Sequence, residues 1–169
     1  MKGAGLKLRL KALFIDYLCI IVYLFVLFAV TMSIYFIFFD GIPEFTEEKS
    51  QWIALLTTVL PITIYFTIQE SGKEFASLGK KRVGLKLKYL ENPIYSSIIR
   101  NILKFLPWQL GHIAVIKGIY NGFGSYFVMI AYVLSILLPF IYIAMVLFRK
   151  DHRHIPDILS KSYVIGRET

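Results

Sequence analysis

The sequence has a single cysteine, Cys19, among 169 residues. A lone thiol closes no internal disulfide and builds no cysteine-based metal site. Charge is also scarce: Asp, Glu, Lys and Arg make up 18% of the chain, against about a quarter in an ordinary soluble domain. Of the three histidines, His152 and His154 flank Arg153 next to Asp151. That stretch reads as a solvated, juxtamembrane surface, not a metal centre. No grouping of Ser, Cys, His and carboxylate has the spacing of a nucleophile and its base, so the chain is expected not to be an enzyme and to need no cofactor. Gly79-Lys80 has the look of a phosphate loop, but Glu74 stands where the leading glycine of that motif belongs.

What the sequence has in excess is hydrophobicity, at 57% of residues. Four apolar stretches carry it: residues 13–39, 52–69, 102–119 and 125–148. A bilayer core of about 30 Å takes about 20 residues of helix, and the first, second and fourth stretches meet that length with at most one charge each, Asp16 in the first. The third is interrupted by Lys104, Gln109, His112 and Lys117 and contains Pro107 and Gly111. The start does not read as a signal peptide. Its apolar run is too long for an h-region, contains Asp16 and shows no small-residue cleavage site.

Orientation decides the third stretch. Lys and Arg number four in residues 1–12, one in 40–50, eight in 70–104 and five in 149–169. The positive-inside rule then predicts both termini and the loop 71–97 on the cytoplasmic side. Three crossings would strand the basic C-terminal segment outside, whereas four return it, with Arg100 and Lys104 snorkelling inward. The expectation is an all-α, multi-pass protein of the cell membrane: one domain spanning residues 1–169, with four transmembrane helices, N-in and C-in. The net charge of +8 is then topology signalling and attraction to anionic inner-leaflet lipids, and calls for no nucleic acid.

Residues 1–13 alternate basic and apolar side chains, as suits an interfacial lead-in. Residues 40–49 form a short acidic loop. From 82 to 89, Val83, Leu85, Leu87 and Tyr89 alternate with Gly84, Lys86 and Lys88, which predicts a strand. Residues 162–166 are a second β-like run, and the two pair in principle as a small cytoplasmic ribbon. Ser96 and Ser97 are candidate caps for the helix that follows Pro93. Pro61 and Pro139 lie inside the second and fourth stretches, and each frees the carbonyl four residues earlier, on Thr57 and Ser135. Broken helices in matching places are common in transporters; ordinary proline tolerance in membrane helices is the plainer reading.

Four motifs stand in order. Arg9, Ala12 and Ile15-Asp16 open the first helix, and Ala76-Ser77-Leu78-Gly79-Lys80-Lys81-Arg82-Val83-Gly84 follows the second. Arg100 with Leu106-Pro107-Trp108-Gln109-Leu110-Gly111-His112 marks the third, and Pro156-Asp157-Ile158-Leu159 comes near the end. In this order the chain resembles the RDD family of prokaryotic membrane proteins over nearly its whole length. The resemblance places the family's arginine on Arg9 and its two aspartates on Asp16 and Asp157. The family often has a histidine directly before the last aspartate, where this chain has Pro156. The resemblance implies transport, in some members cation/proton exchange.

An aspartate inside a membrane helix is costly and therefore a functional suspect. Arg9 and Asp16 share a helix face but lie two turns, about 10 Å, apart. Two readings of Arg9, Asp16 and Asp157 follow. In one they are a structural clamp between the chain ends. In the other Asp16 exchanges a proton or cation, Arg9 adjusts its pKa and Asp157 lines the cytoplasmic entrance. Gln109 and His112, three apart, are further pathway candidates with Thr57 and Ser135; for His112 an interhelical hydrogen bond is the plain alternative. Gly79, Lys80 and Gly84 read as a tight turn into a basic strand, or as a docking motif. Four helices hardly enclose a gated pathway alone, so transport implies a homo-oligomer. The competing function is a non-transporting accessory or protective protein that binds a partner protein, peptide or lipid.

Overall fold

A computed structural model describes residues 5–166. In chain order it contains α1 (Leu6–Phe38), α2 (Glu47–Ala54), a π-helical turn (Leu55–Val59), α3 (Leu60–Ser71), α4 (Leu78–Arg82), β1 (Leu85–Tyr89), α5 (Pro93–Asn121), α6 (Tyr126–Phe148), α7 (Ile155–Leu159) and β2 (Ser162–Gly166). Three helical stretches are long and apolar enough to cross a membrane: α1, the continuous rod Glu47–Ser71 formed by α2, the π turn and α3, and α6. At 29 residues α5 has the length, but with Arg100, Lys104 and Lys117 along it, it is not one of those three.

Apart from α6, which starts at Tyr126, the long helices begin earlier than their apolar stretches, because polar residues extend or cap them. α1 starts at Leu6, so the alternating basic lead-in is itself helical. Thr46 caps the rod by accepting the Lys49 N–H, with Glu47 and Glu48 in the first turn, where the helix dipole favours them. α5 starts at Pro93 and is capped by the side chain of Asn92, which accepts from the N–H groups of Ile94 and Tyr95. Ser96 and Ser97 therefore do not cap it, and both are buried inside the helix. Pro at the first helical position costs nothing, since its missing N–H would have had no partner there.

Two prolines inside helices are compensated in the same way. Pro61 cannot donate to the Thr57 carbonyl, and the Tyr23 hydroxyl on α1 donates to it instead at 2.6 Å. Pro107 cannot donate to the Leu103 carbonyl, and the Tyr142 hydroxyl on α6 does so at 3.0 Å. Each tyrosine thus ties a neighbouring helix to a weakened turn, and the π turn sits immediately before Pro61.

Large apolar residues of α1, α3 and α6, among them Phe25, Phe36, Tyr126 and Phe140, face outward, as lipid-facing side chains do. A modest apolar core joins Ile20, Val59, Ile62, Phe66 and Phe105. The ribbon lies at the end of the bundle where α1 starts and α3 stops. β1 and β2 pair antiparallel, with Leu87 opposite Val164. Leu85, Leu87 and Val164 pack with Ala12, while Lys88 points out, the alternation expected of a strand with one buried face. On the far side of α5, Gly111 faces α6: a Cβ there would sit 3.7 Å from Ser135, an ordinary van der Waals contact.

Candidate functional site

At the ribbon end the interior is polar. The buried stripe of α1 is Ala12, Asp16 and Ile20, four residues apart and so on one helix face. It meets α4. Asp16 Oδ2 accepts from the Ser77 hydroxyl at 2.6 Å, and Oδ1 accepts from the Gly79 N–H at 2.8 Å. Ser77 is itself the cap of α4. Gly79 is required by this approach, because a Cβ would fall 2.1 Å from the Ala12 carbonyl oxygen and 2.8 Å from Asp16. Gly84 turns the chain from α4 into β1 with φ of +70°, a conformation that suits glycine.

Lys80 points back from α4 to Glu70, the last charged residue of α3, which is 0% exposed. Its ammonium lies 2.7 Å from Glu70 Oε1 and also donates to Ser77 Oγ at 3.2 Å. The other carboxylate oxygen, Oε2, accepts from Arg100 Nη1 at 2.6 Å and from Asn101 Nδ2 at 3.0 Å. Arg100 then reaches α7, where its Nε donates to Asp157 Oδ1 at 2.8 Å. The result is an alternating, fully buried chain Lys80–Glu70–Arg100–Asp157 that joins α4, α3, α5 and α7. Alternation of sign is what makes such burial tolerable; each charge out of water otherwise costs several kcal/mol. One turn further along α5, the Lys104 ammonium rests 4.0 Å from the centre of the Phe66 ring and 5.0 Å from that of Phe105, a cation–π arrangement.

Asp157 is 0% exposed, and its Oδ2 has no hydrogen-bond partner among the described residues. His154 Nδ1 lies 3.6 Å from it. His154 caps α7 by accepting the Asp157 N–H on that same nitrogen, so the ring is neutral, with its proton on Nε2. Burial pushes the His154 imidazole down to about 4. Burial opposes ionisation of Asp157 as well, but His154 when protonated, together with Arg100 and Arg9, holds its carboxyl below the ordinary value. Tyr89, whose hydroxyl donates to the Glu70 carbonyl, is pushed up by burial and by the Glu70 charge.

Each of the three residues of the resemblance has hydrogen-bond partners of its own. Arg9 donates to the carbonyls of His152 at 2.5 Å and Val164 at 3.2 Å, and so ties the start of α1 to the C-terminal segment. Asp16 is held by Ser77 and Gly79, and Asp157 by Arg100. The pathway candidates divide too. Thr57 faces α1 through Tyr23, and its hydroxyl donates to Ile53 O. Ser135 lies against α5 at Gly111, its hydroxyl donating to Tyr132 O. His112 Nε2 accepts from the Trp108 indole at 3.1 Å, within α5. Gln109 Oε1 is buried without a hydrogen-bond partner among the described residues. Sequence reasoning missed Glu70, the hub of the ionic chain. Its signal was present as a carboxylate closing an apolar run, opposite a helix whose Ser97, Arg100, Asn101 and Lys104 recur at helical spacing.

No group of three or more His, Cys, Asp or Glu among the described residues is arranged to hold a metal ion. A family model described as the RDD family matches residues 4–161. No curated protein matches the chain, and no solved structure does.

Proposed function

Because the chain belongs to the RDD family, we propose that it is a multi-pass protein of the cell membrane which moves a cation, a proton or a small solute, with α5 as a fourth crossing and both termini in the cytoplasm. The observation that carries this reading is α5 itself. It is 29 residues long, about 43 Å of helix, with Ser97, Arg100, Asn101, Lys104, Gln109 and His112 distributed along it. A helix with that many polar side chains spans lipid only if its polar face lines protein or water. At the cytoplasmic end of that face stands the buried ionic chain. Both Asp16 oxygens are engaged, whereas Asp157 Oδ2 has no hydrogen-bond partner among the described residues; in this reading Asp157, an ionised carboxylate, is the cytoplasmic contact for a cation.

Everted vesicles carrying the protein are expected to show cation-dependent collapse of an imposed proton gradient, lost on Asp157→Asn. Collapse no faster than in empty vesicles would overturn the reading. α1 and α6 leave most of their apolar surface uncovered, which fits lipid contact and assembly with further copies of the chain.

A second reading is that of an accessory protein that transports nothing and docks a partner or anionic lipid on the basic side of the ribbon, where Arg82 and Lys88 are exposed. Crosslinking that captures only other copies of the chain, together with an unchanged phenotype on deletion of residues 71–90, would exclude it.

A further inference from the structure

The buried face of α3 carries Ile62, Phe66 and Glu70, and the opposite face is apolar and open. Leu60, Ile64 and Ile68 follow one another at four-residue spacing and are all exposed, so they form one stripe along the helix. Four residues further on stands Gly72, where α3 stops. There the stripe runs into a cavity of about 180 Å³ lined by Ile68, Gln69, Gly72, Lys73, Glu74 and Lys81.

The lining carries both signs. Lys73 is exposed and takes part in no hydrogen bond or ion pair among the described residues. Lys81, from α4, meets Glu74 at 3.5 Å in a pair that is partly open to solvent. The last carbonyls of α3 lie at the same place, since a Cβ on Gly72 would fall 3.0 Å from Ile68 O and 3.8 Å from Gln69 O, and this end of a helix favours a cation.

These features select the occupant. The cavity is smaller than the about 300–1,000 Å³ of sites that enclose a whole small ligand, so only part of the occupant enters it. The exposed stripe at its mouth belongs to a rod long and apolar enough to cross a membrane, and such a face receives an acyl chain. A plain anion would be matched by the two lysines but would also meet the Glu74 carboxylate and the negative end of α3. A phosphate diester followed by a primary ammonium answers both signs, and its N–H donors make charge-assisted hydrogen bonds that a trimethylated ammonium cannot.

We propose that the cavity at the end of α3 binds the headgroup of a phospholipid with a primary ammonium, of the phosphatidylethanolamine class, with one acyl chain along Leu60, Ile64 and Ile68. Lys73 and Lys81 take the phosphate, and Glu74 takes the ammonium. The site requires that the chain lie in a membrane and stands whether or not it transports anything.

Native mass spectrometry of the full chain in detergent tests it, with phosphatidylethanolamine, phosphatidylcholine and phosphatidylglycerol of the same acyl chains offered in equal amounts. Phosphatidylethanolamine should be retained several-fold more than either of the others; equal retention of the choline lipid, or a preference for the glycerol lipid, would overturn the proposal. Lys73→Gln with Lys81→Gln should reduce that retention several-fold, whereas Arg82→Gln, on α4 but outside the cavity lining, should leave it unchanged. Equal losses from the two would mark general attraction to a basic surface and overturn the site. Glu74→Gln should abolish the preference for the ethanolamine over the choline lipid, and a preference that survives removes Glu74 and the headgroup assignment with it. Glycerophosphoethanolamine, the same headgroup without acyl chains, should not displace the lipid at equal concentration; displacement would mark a site for a soluble phosphate ester and overturn the lipid assignment.

Discussion

Arg100 holds two carboxylates through different nitrogens, Nη1 to Glu70 and Nε to Asp157, a division that a lysine's single ammonium cannot reproduce. Arg100→Met leaves both acids buried, and its cost should be about 3–5 kcal/mol, read as unfolding in detergent; Arg100→Lys should recover only part of it. Gly79→Ala forces a methyl into the α1–α4 contact and should cost about 1–3 kcal/mol by the same measurement. The folded value of His154, about 4, lies below its ordinary 6.5, so the unfolded chain binds the extra proton between those pH values. Stability is then full above about pH 6.5 and falls toward pH 4, by about 3 kcal/mol if His154 acts alone. His154→Asn keeps an acceptor for the cap and should flatten the stability profile over that window. Below it, protonation of Asp157, whose folded value is also lowered, takes over.

At the scale of elements, the proline–tyrosine pairs are the testable unit. Tyr23→Phe strips the Thr57 carbonyl of its donor and should cost about 1 kcal/mol. In a Pro61→Ala background, where the helix supplies its own N–H, the same change should cost much less. Equal costs in the two backgrounds, measured as unfolding free energies, would show that the hydroxyl does not compensate the proline. The sequence shows that Pro61 frees Thr57, because the rule is local; it does not show that Tyr23, 34 residues away, fills the gap. The ribbon was legible for the same reason. Alternation over residues 82–89 and 162–166 is a local signal, and the strands are Leu85–Tyr89 and Ser162–Gly166, the first shortened because α4 and the Gly84 turn take up residues 82–84. α4 and α7, at five residues each, were hidden because tertiary contacts and caps hold them, and a helix that short has little propensity of its own.

For the molecule as a whole, the three apolar helices were legible from length and hydropathy, but the ionic chain was not. Glu70 meets Arg100 across 30 residues and Arg100 meets Asp157 across 57, and no local pattern records pairing at that range. The number of crossings is open to direct measurement. In a Cys19→Ser background, Thr46→Cys and Phe123→Cys should react with an impermeant thiol reagent added outside intact cells, and Lys88→Cys only after the membrane is opened. Labelling of Lys88→Cys from outside would refute the N-in, C-in arrangement.

The arginine bonds to the C-terminal strand reach further than tying one end of the chain to the other. Leu87 turns its N–H away from β2, toward the Phe75 carbonyl, so its partner Val164 faces outward in the antiparallel ladder. On that outer rim Arg9 occupies the carbonyl of Val164, and Arg153 that of Ser162. An extended segment from another protein, or from a second copy, would have to displace two guanidinium groups before it could add a third strand. The outer edge of β2 is therefore guarded against strand addition by two arginines.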